Sequence, residues 1–368
     1  MQKKVFRGAS KLRRRQLVRT MPTAVLLALA LTLAAWVPAP PATSTPLALA
    51  ATPQAGPARP QAEEMQPATV KLMVIPGAQS YPVWVMESRG ITDKYKLKLI
   101  ITEVASPTAQ TVQMQQQDFE AGFGSWVTVA LLRAQGVPLT NVYPMFGFFT
   151  NDIVVRNDSP IRSFGDLKGK RIGTFGGPTA GTTTLFRMVG SRFYGFDPLK
   201  DARSQTAAPP LLSGLLERGD LDAILSLDPF VLQLLETGQF RSIGNIGNLW
   251  REKAGTNPML VAVTVNENWA RKNADVARRF VRAYKEAMEI LKADIDIWTG
   301  IAKKAGITTE KGARLLRERT APGLMTTWNQ EIIDQQYKYV ADVHKEFPRI
   351  EGIPKTIPDG TFTLVYAP

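Results

Sequence analysis

The chain has 368 residues, with 45 Lys and Arg against 32 Asp and Glu, a formal net charge of +13 and no cysteine. The lack of cysteine excludes disulfides, thiol nucleophiles and cysteine-ligated metal centres. The single histidine, His344, argues against a histidine-rich metal site and against a Ser-His-Asp triad. The length predicts two domains of ordinary size.

The positive charge is concentrated at the start of the chain. Eight Lys and Arg residues lie within the first twenty positions, which contain no acid. An uncharged stretch at residues 21–37 and the small residues Ala48-Leu49-Ala50 follow, as in an export signal with its cleavage site. We therefore expect residues 1–50 to direct the protein to the periplasm. Arg14-Arg15-Gln16-Leu17-Val18 resembles a twin-arginine export motif, but Arg13 stands where that motif has Ser or Thr, which leaves the export route open. If the signal is not cleaved, the same segment would be an N-terminal membrane anchor.

The rest of the chain is only mildly basic and shows no basic run with interleaved aromatic residues, which argues against binding of nucleic acid. Residues 51–68, rich in Pro, Ala and Gln, are expected to form a disordered linker. Beyond residue 68, apolar runs and amphipathic segments alternate, which predicts mainly parallel sheets covered by helices. The predicted strands are 70–76, 96–104, 119–124, 139–148, 153–156, 171–175, 221–227, 241–246 and 259–265. The predicted helices are 82–89, 108–117, 126–135, 182–194, 210–218, 230–236, 275–293, 310–319 and 329–347.

This order predicts a bilobed α/β protein. Residues 69–150 plus 260–368 would form one lobe, and residues 151–259 would form the other. Ligands of open α/β sheets bind outside the carboxyl ends of the strands. We therefore expect a site in a cleft between the lobes.

Several short motifs carry a resemblance to a known family. They are Tyr81-Pro82-Val83-Trp84, Phe119-Glu120-Ala121-Gly122, Ala134-Gln135-Gly136-Val137-Pro138, Asp166-Leu167-Lys168-Gly169-Lys170-Arg171-Ile172-Gly173, Gly219-Asp220-Leu221-Asp222-Ala223 and Asp228-Pro229-Phe230. In their order and spacing, residues 70–293 resemble the substrate-binding proteins of ABC importers for aliphatic sulfonates, taurine, nitrate and thiamine-pyrimidine precursors.

The resemblance implies a type II periplasmic-binding-protein fold, with two α/β lobes joined by two crossover strands near residues 150–155 and 258–263. Extra helices follow at the C-terminal end. It also implies a monomer without a cofactor whose partners are a small-molecule ligand, a membrane permease and a separate ATPase subunit.

The candidate ligand-binding residues lie on loops that follow the predicted strands and on the crossover between the lobes. They are Ser80, Tyr81, Ser106, Ser125, Trp126, Phe149, Thr150, Gly177, Thr179, Thr182 and Asp228. Tyr81 and Trp126 are expected to form the stacking walls of the pocket, because small-ligand sites combine apolar walls with a few polar groups.

The glycine-rich loop at residues 176–182 opens a predicted helix. Its backbone N–H groups and threonine hydroxyls suit an anion or a carbonyl oxygen. Thr182 stands where a phosphate-binding P-loop needs lysine, which argues against an NTPase. Another interpretation is that the glycines only form a turn and the threonines cap the helix.

Asp228 allows two interpretations. It could accept hydrogen bonds from an amino, amidine or hydroxyl group of the ligand. It could instead cap the following helix.

The sequence therefore predicts capture of a small polar or heteroaromatic organic molecule without chemistry. Alternatives are a ligand-sensing receptor for a membrane partner and a receptor for another type of importer. An enzyme is disfavoured for two reasons. Ser125 lies in Gly122-Phe123-Gly124-Ser125-Trp126, which is not a hydrolase elbow. The thiamine-pyrimidine synthases of the same fold family use an active-site histidine and a cysteine-rich motif, and this chain has no cysteine.

Overall fold

The structure is a computed structural model that describes residues 65–147, 151–178, 180–255 and 259–368. These residues belong to one compact unit, Glu63–Pro368. The predicted export signal and nearly all of the predicted linker lie outside the described residues. Within the described residues, no helix is both long enough and apolar enough to span a membrane.

Strands and helices alternate along most of the described chain. The strands are β1 Ala68–Val74, β2 Leu97–Glu103, β3 Ala121–Ser125, β4 Leu139–Phe146, β5 Asn151–Arg156, β6 Arg171–Thr174, β7 Arg203–Thr206, β8 Ala223–Leu227, β9 Phe240–Asn245 and β10 Val261–Asn266. The helices are α1 Tyr81–Ser88, α2 Ile91–Lys94, α3 Pro107–Gln116, α4 Trp126–Ala134, α5 Gly181–Tyr194, α6 Pro209–Glu217, α7 Phe230–Glu236, α8 Ile246–Ala254, α9 Glu267–Lys272, α10 Ala274–Ala293, α11 Ile297–Lys304, α12 Glu310–Thr320 and α13 Gln330–Glu346.

The strands form two five-stranded sheets, one in each lobe. The first has the order β2-β1-β3-β10-β4 and the second the order β7-β6-β8-β5-β9. Strands β2, β1 and β3 are parallel, and so are β7, β6 and β8. In each sheet one strand is antiparallel to both of its neighbours, β10 in the first sheet and β5 in the second. The bilobed α/β architecture expected from the sequence is confirmed.

The amphipathic pattern explains how the helices cover the sheets. In α10, Phe280, Tyr284, Met288 and Leu291 recur at a spacing of three or four residues, and all four are buried. Such a stripe places one face of the helix against the core. The ring of Tyr284 contacts those of Phe123 and Tyr143 there.

Five elements have no counterpart among the predicted ones: α2, β7, α8, α9 and α11. Strand β7 is polar and mostly exposed, so its sequence carries no apolar signal; it forms because its backbone pairs with β6. Helix α11 is important for the site, because it covers one of the predicted cleft residues.

Candidate functional site

A cleft lies between the two sheets, at the carboxyl ends of their parallel strands. It encloses a cavity of about 80 Å³, which is room for several water-sized groups. Apolar residues form most of its wall: Ile75, Ala78, Pro107, Met114, Phe146, Phe175, Ala180, Gly181, Leu227, Leu260 and Val261. The polar residues are Gln79, Gln110, Thr111, Ser125, Thr128, Asn151 and Thr182. No ionisable side chain lines this cavity among the described residues.

Ser125 and Thr182 were predicted as site residues, and both line the cleft from opposite lobes. Ser125 precedes α4 and Thr182 lies in the first turn of α5. Both hydroxyl oxygens are buried and have no hydrogen-bond partner among the residues that the structure describes. Neither helix has a side-chain cap at its N-terminus. Unpaired N–H groups at a helix start attract negative charge, so the two hydroxyls and two helix ends together suit the polar head of a ligand.

Gln79 and Gln110 form a polar pair on the first lobe that the candidate residues did not include. Gln110 Nε2 donates to Gln79 Oε1 at 3.2 Å, and the backbone N–H of Ile75 donates to the same oxygen at 2.8 Å. The Gln79 amino group and the Gln110 carbonyl oxygen make no other hydrogen bond within the described residues. The pair can therefore offer both a donor and an acceptor to a ligand.

The glycine-rich loop closes over the cleft from the second lobe. The Gly176 carbonyl accepts hydrogen bonds from Thr174 at 3.0 Å and from Thr183 at 2.8 Å, which fixes the turn. A Cβ atom on Gly177 would lie 3.2 Å from Thr108 Oγ1 of the first lobe. Gly177, a predicted site residue, thus lets the two lobes approach closely.

Tyr81 does not form a stacking wall, so that expectation is wrong. Its side chain is buried, and its ring contacts Trp84 at 5.6 Å and Trp298 of α11 at 5.9 Å between centroids. Burial and the nearby charge of Asp228 raise the pKa of Tyr81 well above its ordinary value. The ring faces the core because α11, a helix that was not predicted, packs over it.

Trp126 is also a core residue and not a wall of the cleft. Its side chain is fully buried, and Nε1 donates to the Met259 carbonyl at 2.6 Å. Its ring lies 5.5 Å from that of Phe362 and 6.3 Å from that of Tyr339. The C-terminal segment therefore covers this side of α4. Among the described residues, the aromatic side chains that line the cleft are Phe146 and Phe175.

Two predicted serines lie near the cleft without lining it. Ser106 caps α3, because its side chain accepts a hydrogen bond from the Ala109 N–H at 3.2 Å. Ser80 precedes α1 and is buried, and its hydroxyl oxygen has no hydrogen-bond partner in the described part of the chain. Phe149, Thr150 and Thr179 lie outside the described residues.

Asp228 does not line the cleft, so the structure does not place it against a ligand there. It is fully buried, and its Oδ2 accepts a hydrogen bond from Arg319 Nε at 2.7 Å. Helix α7 begins after Pro229, and the backbone N–H of Leu232 in its first turn donates to the Asp228 carboxylate, which agrees with the capping interpretation. Burial raises the pKa of Asp228 to about 6, although Arg319 lowers it. Arg319 was missed because it lies 91 residues further along the chain, in a segment without a loop motif.

The single histidine takes no part in the cleft. His344 lies in α13, and its Nε2 is 2.9 Å from the Pro354 carbonyl oxygen.

The profile of the family described as NMT1/THI5 like matches residues 80–295. The 4-amino-5-hydroxymethyl-2-methylpyrimidine phosphate synthase THI12 of Saccharomyces cerevisiae is 22% identical over 223 residues, 58% of this chain and 63% of that protein. The match therefore spans less than two thirds of that relative.

Solved structures share the bilobed fold. The alkanesulfonate-binding protein SsuA from Xanthomonas axonopodis pv. citri, bound to MOPS, has a TM-score of 0.67 and 16% identity, covering 81% of this chain and 99% of its own. The periplasmic nitrate-binding protein NrtA from Synechocystis PCC 6803 has a TM-score of 0.54 and 15% identity, covering 72% of this chain and 74% of its own. At these identities the likeness concerns the fold.

Proposed function

The chain belongs to the NMT1/THI5-like family, and on the geometry of its cleft we propose that it is the extracytoplasmic solute-binding protein of an ABC importer. It captures a small organic molecule between its lobes and delivers the molecule to a membrane permease driven by a separate ATPase subunit. Solved binding proteins with the same fold bind a sulfonate or nitrate, which supports this proposal.

The observation that carries the proposal is a cleft whose described lining is mostly apolar, with a few polar side chains and no ionisable one. General acid–base catalysis needs a titratable group within hydrogen-bond reach of the reacting atoms. Within the described part of the chain, the Ser125 and Thr182 hydroxyls have no base beside them to activate a nucleophile. Such a cleft is suited to binding and release of an unchanged molecule.

The lining also indicates the ligand's chemistry. Met114, Phe146, Phe175 and Leu260 offer an apolar surface to the body of the ligand. Ser125, Thr182 and the two helix N-termini would hold a polar or acidic head. We infer a small organic molecule with an apolar or heteroaromatic body and one sulfonate, carboxylate or carbonyl head.

Thermal unfolding of the full chain with a ligand panel tests this function. The panel contains alkanesulfonates, taurine, nitrate, aromatic carboxylates and hydroxymethylpyrimidine. A ligand present at about a thousand times its Kd adds about 4 kcal/mol to the free energy of unfolding. We expect one chemical class to raise the unfolding temperature by several degrees, and a flat response across the panel would contradict the proposed ligand class.

A matched pair of variants ties the response to the cleft. Thr182→Val removes a hydroxyl that lines the cavity, whereas Thr184→Val removes a buried, unpartnered hydroxyl of the same helix that does not line it. We expect the first variant to weaken binding at least tenfold in calorimetry. We expect the second to bind as the unmodified protein does.

A further inference from the structure

One arginine neutralises two buried carboxylates behind the cleft. Arg319 of α12 donates from Nε to Asp228 Oδ2 at 2.7 Å, and its Nη2 lies 2.9 Å from Asp152 Oδ1. Asp228 is 0% exposed and Asp152 only 2%. Asn245 Nδ2 also donates to Asp152 Oδ1 at 2.8 Å. With one cation against two anions, this cluster depends on Arg319 for its charge balance.

The two carboxylates belong to the second lobe and adjoin the cleft. Asp152 lies in β5 and Asp228 directly follows β8, two strands that pair with each other. Asn151, next to Asp152, pairs with Leu227, next to Asp228, and both neighbours line the cleft. A displacement of either carboxylate therefore also displaces a residue that lines the second-lobe side of the cleft.

The chain that follows Arg319 is fastened to the first lobe. After α12 ends, the backbone N–H of Met325 donates to the Met145 carbonyl at 3.0 Å, at the end of β4. The N–H of Gly147 donates to the Gly323 carbonyl at 2.8 Å. Tyr143 of β4 donates its hydroxyl to the Thr326 carbonyl at 2.6 Å. Helix α12 thus bridges the lobes: the first sheet holds the chain just beyond its C-terminal end, close to Arg319, whereas Thr309 at its start donates to Glu236 of α7 in the second lobe.

We propose that Arg319 is a positioning residue that latches the two lobes in the closed arrangement by neutralising Asp152 and Asp228. Removing one member of a buried ion pair leaves an uncompensated charge, which is strongly unfavourable. Opening the lobes relieves that charge by hydration, so loss of Arg319 favours the open arrangement. The inference rests on the proposed function, because capture requires the lobes to open and close.

The charged and titratable groups that act on Asp228 are Arg319 from α12, Asp152 from β5 and Tyr81 from α1. Without Arg319, the closed arrangement is unfavourable while both aspartates are ionised. Protonation of Asp228 in acid, or its replacement by asparagine, removes part of that charge. The latch therefore has an electrostatic signature that loss of packing alone does not have.

The distance between the lobes can be measured without any ligand. The chain has no cysteine, so Val112→Cys on α3 and Leu211→Cys on α6 create two unique labelling sites. Both side chains are about half exposed, and the helices lie on different lobes. Both cysteines carry a nitroxide spin label. Pulsed electron–electron double resonance of the doubly labelled full chain then gives the distribution of distances between the two labels, and so between the lobes.

We expect Arg319→Met to shift this distribution to longer and broader distances at pH 7.5. At pH 5, or with Asp228→Asn in the same chain, we expect the distribution to return toward that of the parent. Arg314→Met, which alters an exposed arginine of the same helix, is the matched control and should change nothing. If Arg319→Met alone does not fold, the Arg319→Met/Asp228→Asn chain must fold and show the closed distance.

An Arg319→Met distribution identical to the parent's at pH 7.5 would overturn the latch. So would an opening that neither acid nor Asp228→Asn reverses, because Arg319 would then act by packing. These readouts need no ligand, so a failed latch is distinguishable from a failed proposed function, which the ligand panel tests separately.

Discussion

Gly181 of the second lobe faces Ser125 of the first so closely that a Cβ atom on the glycine would lie 2.5 Å from the serine Oγ. The same Cβ would lie 2.6 Å from a methyl carbon of Leu260. Both neighbours line the cleft. Glycine at this position therefore allows the two lobes to meet at the site.

The first prediction follows from that contact. Gly181→Ala should weaken ligand binding at least tenfold, because the methyl group holds the lobes apart at the cleft. Its free energy of unfolding should change little, because Gly181 is the first residue of α5 and separation of the lobes relieves the contact. Calorimetry and urea unfolding measure the two effects. Gly214→Ala in α6 is the control, because a Cβ atom there would meet only the flexible end of Arg218, at 3.4 Å. Equal ligand affinities of the two variants would refute the role of the contact between Gly181 and Ser125.

The second prediction concerns pH. The pKa of Asp228 is raised to about 6 in the folded protein, so the folded state holds this proton more tightly than the unfolded state. The stabilisation that protonated Asp228 gives the folded state is therefore largest below about pH 4 and is lost as the pH rises through 6. Asp228→Asn removes this dependence.

The difference between the asparagine variant and the parent isolates that effect. Carboxyls with lowered pKa values, such as Asp166 and Asp222, are common to both chains and cancel in the difference. From pH 4 to pH 7, the free energy of unfolding of the variant should rise relative to that of the parent by on the order of 2 kcal/mol. Urea unfolding at intervals of one pH unit measures it, and a constant difference would show that Asp228 titrates normally.

The third prediction separates core aromatics from cleft residues. Tyr81→Phe removes a buried hydroxyl that has no partner, so the free energy of unfolding should rise by about 1 kcal/mol. Trp126→Phe removes the hydrogen bond to the Met259 carbonyl and some packing, so stability should fall by about 1–3 kcal/mol. The ligand affinity of both variants should stay within twofold of that of the parent. A large loss of affinity would show that these rings belong to the binding site.

The sequence predicted the alternation of strands and helices and the family because both depend on local patterns. The apolar run of β1 predicts a strand, and the spacing of Phe280 and Tyr284 predicts the helix α10; patterns of this kind are sufficient to predict the fold. The loop residues Ser125 and Thr182 were also predictable, because they follow strands whose carboxyl ends meet at the cleft. Family membership, inferred from motif order, is confirmed.

The orientation of the aromatic rings could not be predicted in the same way. Tyr81 and Trp126 follow strands too, but Trp298 and Phe362 lie far along the chain and draw the rings into the core. The partner of Asp228 is equally remote, since Arg319 comes from a helix with no motif of its own. Packing and charge pairing with residues far along the chain determine the orientation of these three side chains, and no short-range sequence pattern encodes such contacts.

The most direct test of capture without chemistry is equilibrium dialysis of the full chain with the ligand class that the panel selects, followed by mass spectrometry of the released molecule. Our account predicts about one molecule per chain, released with unchanged mass. It also predicts that binding is lost in Thr182→Val and kept in Thr184→Val. Release of a chemically altered molecule would contradict the account, as would equal binding by the two variants.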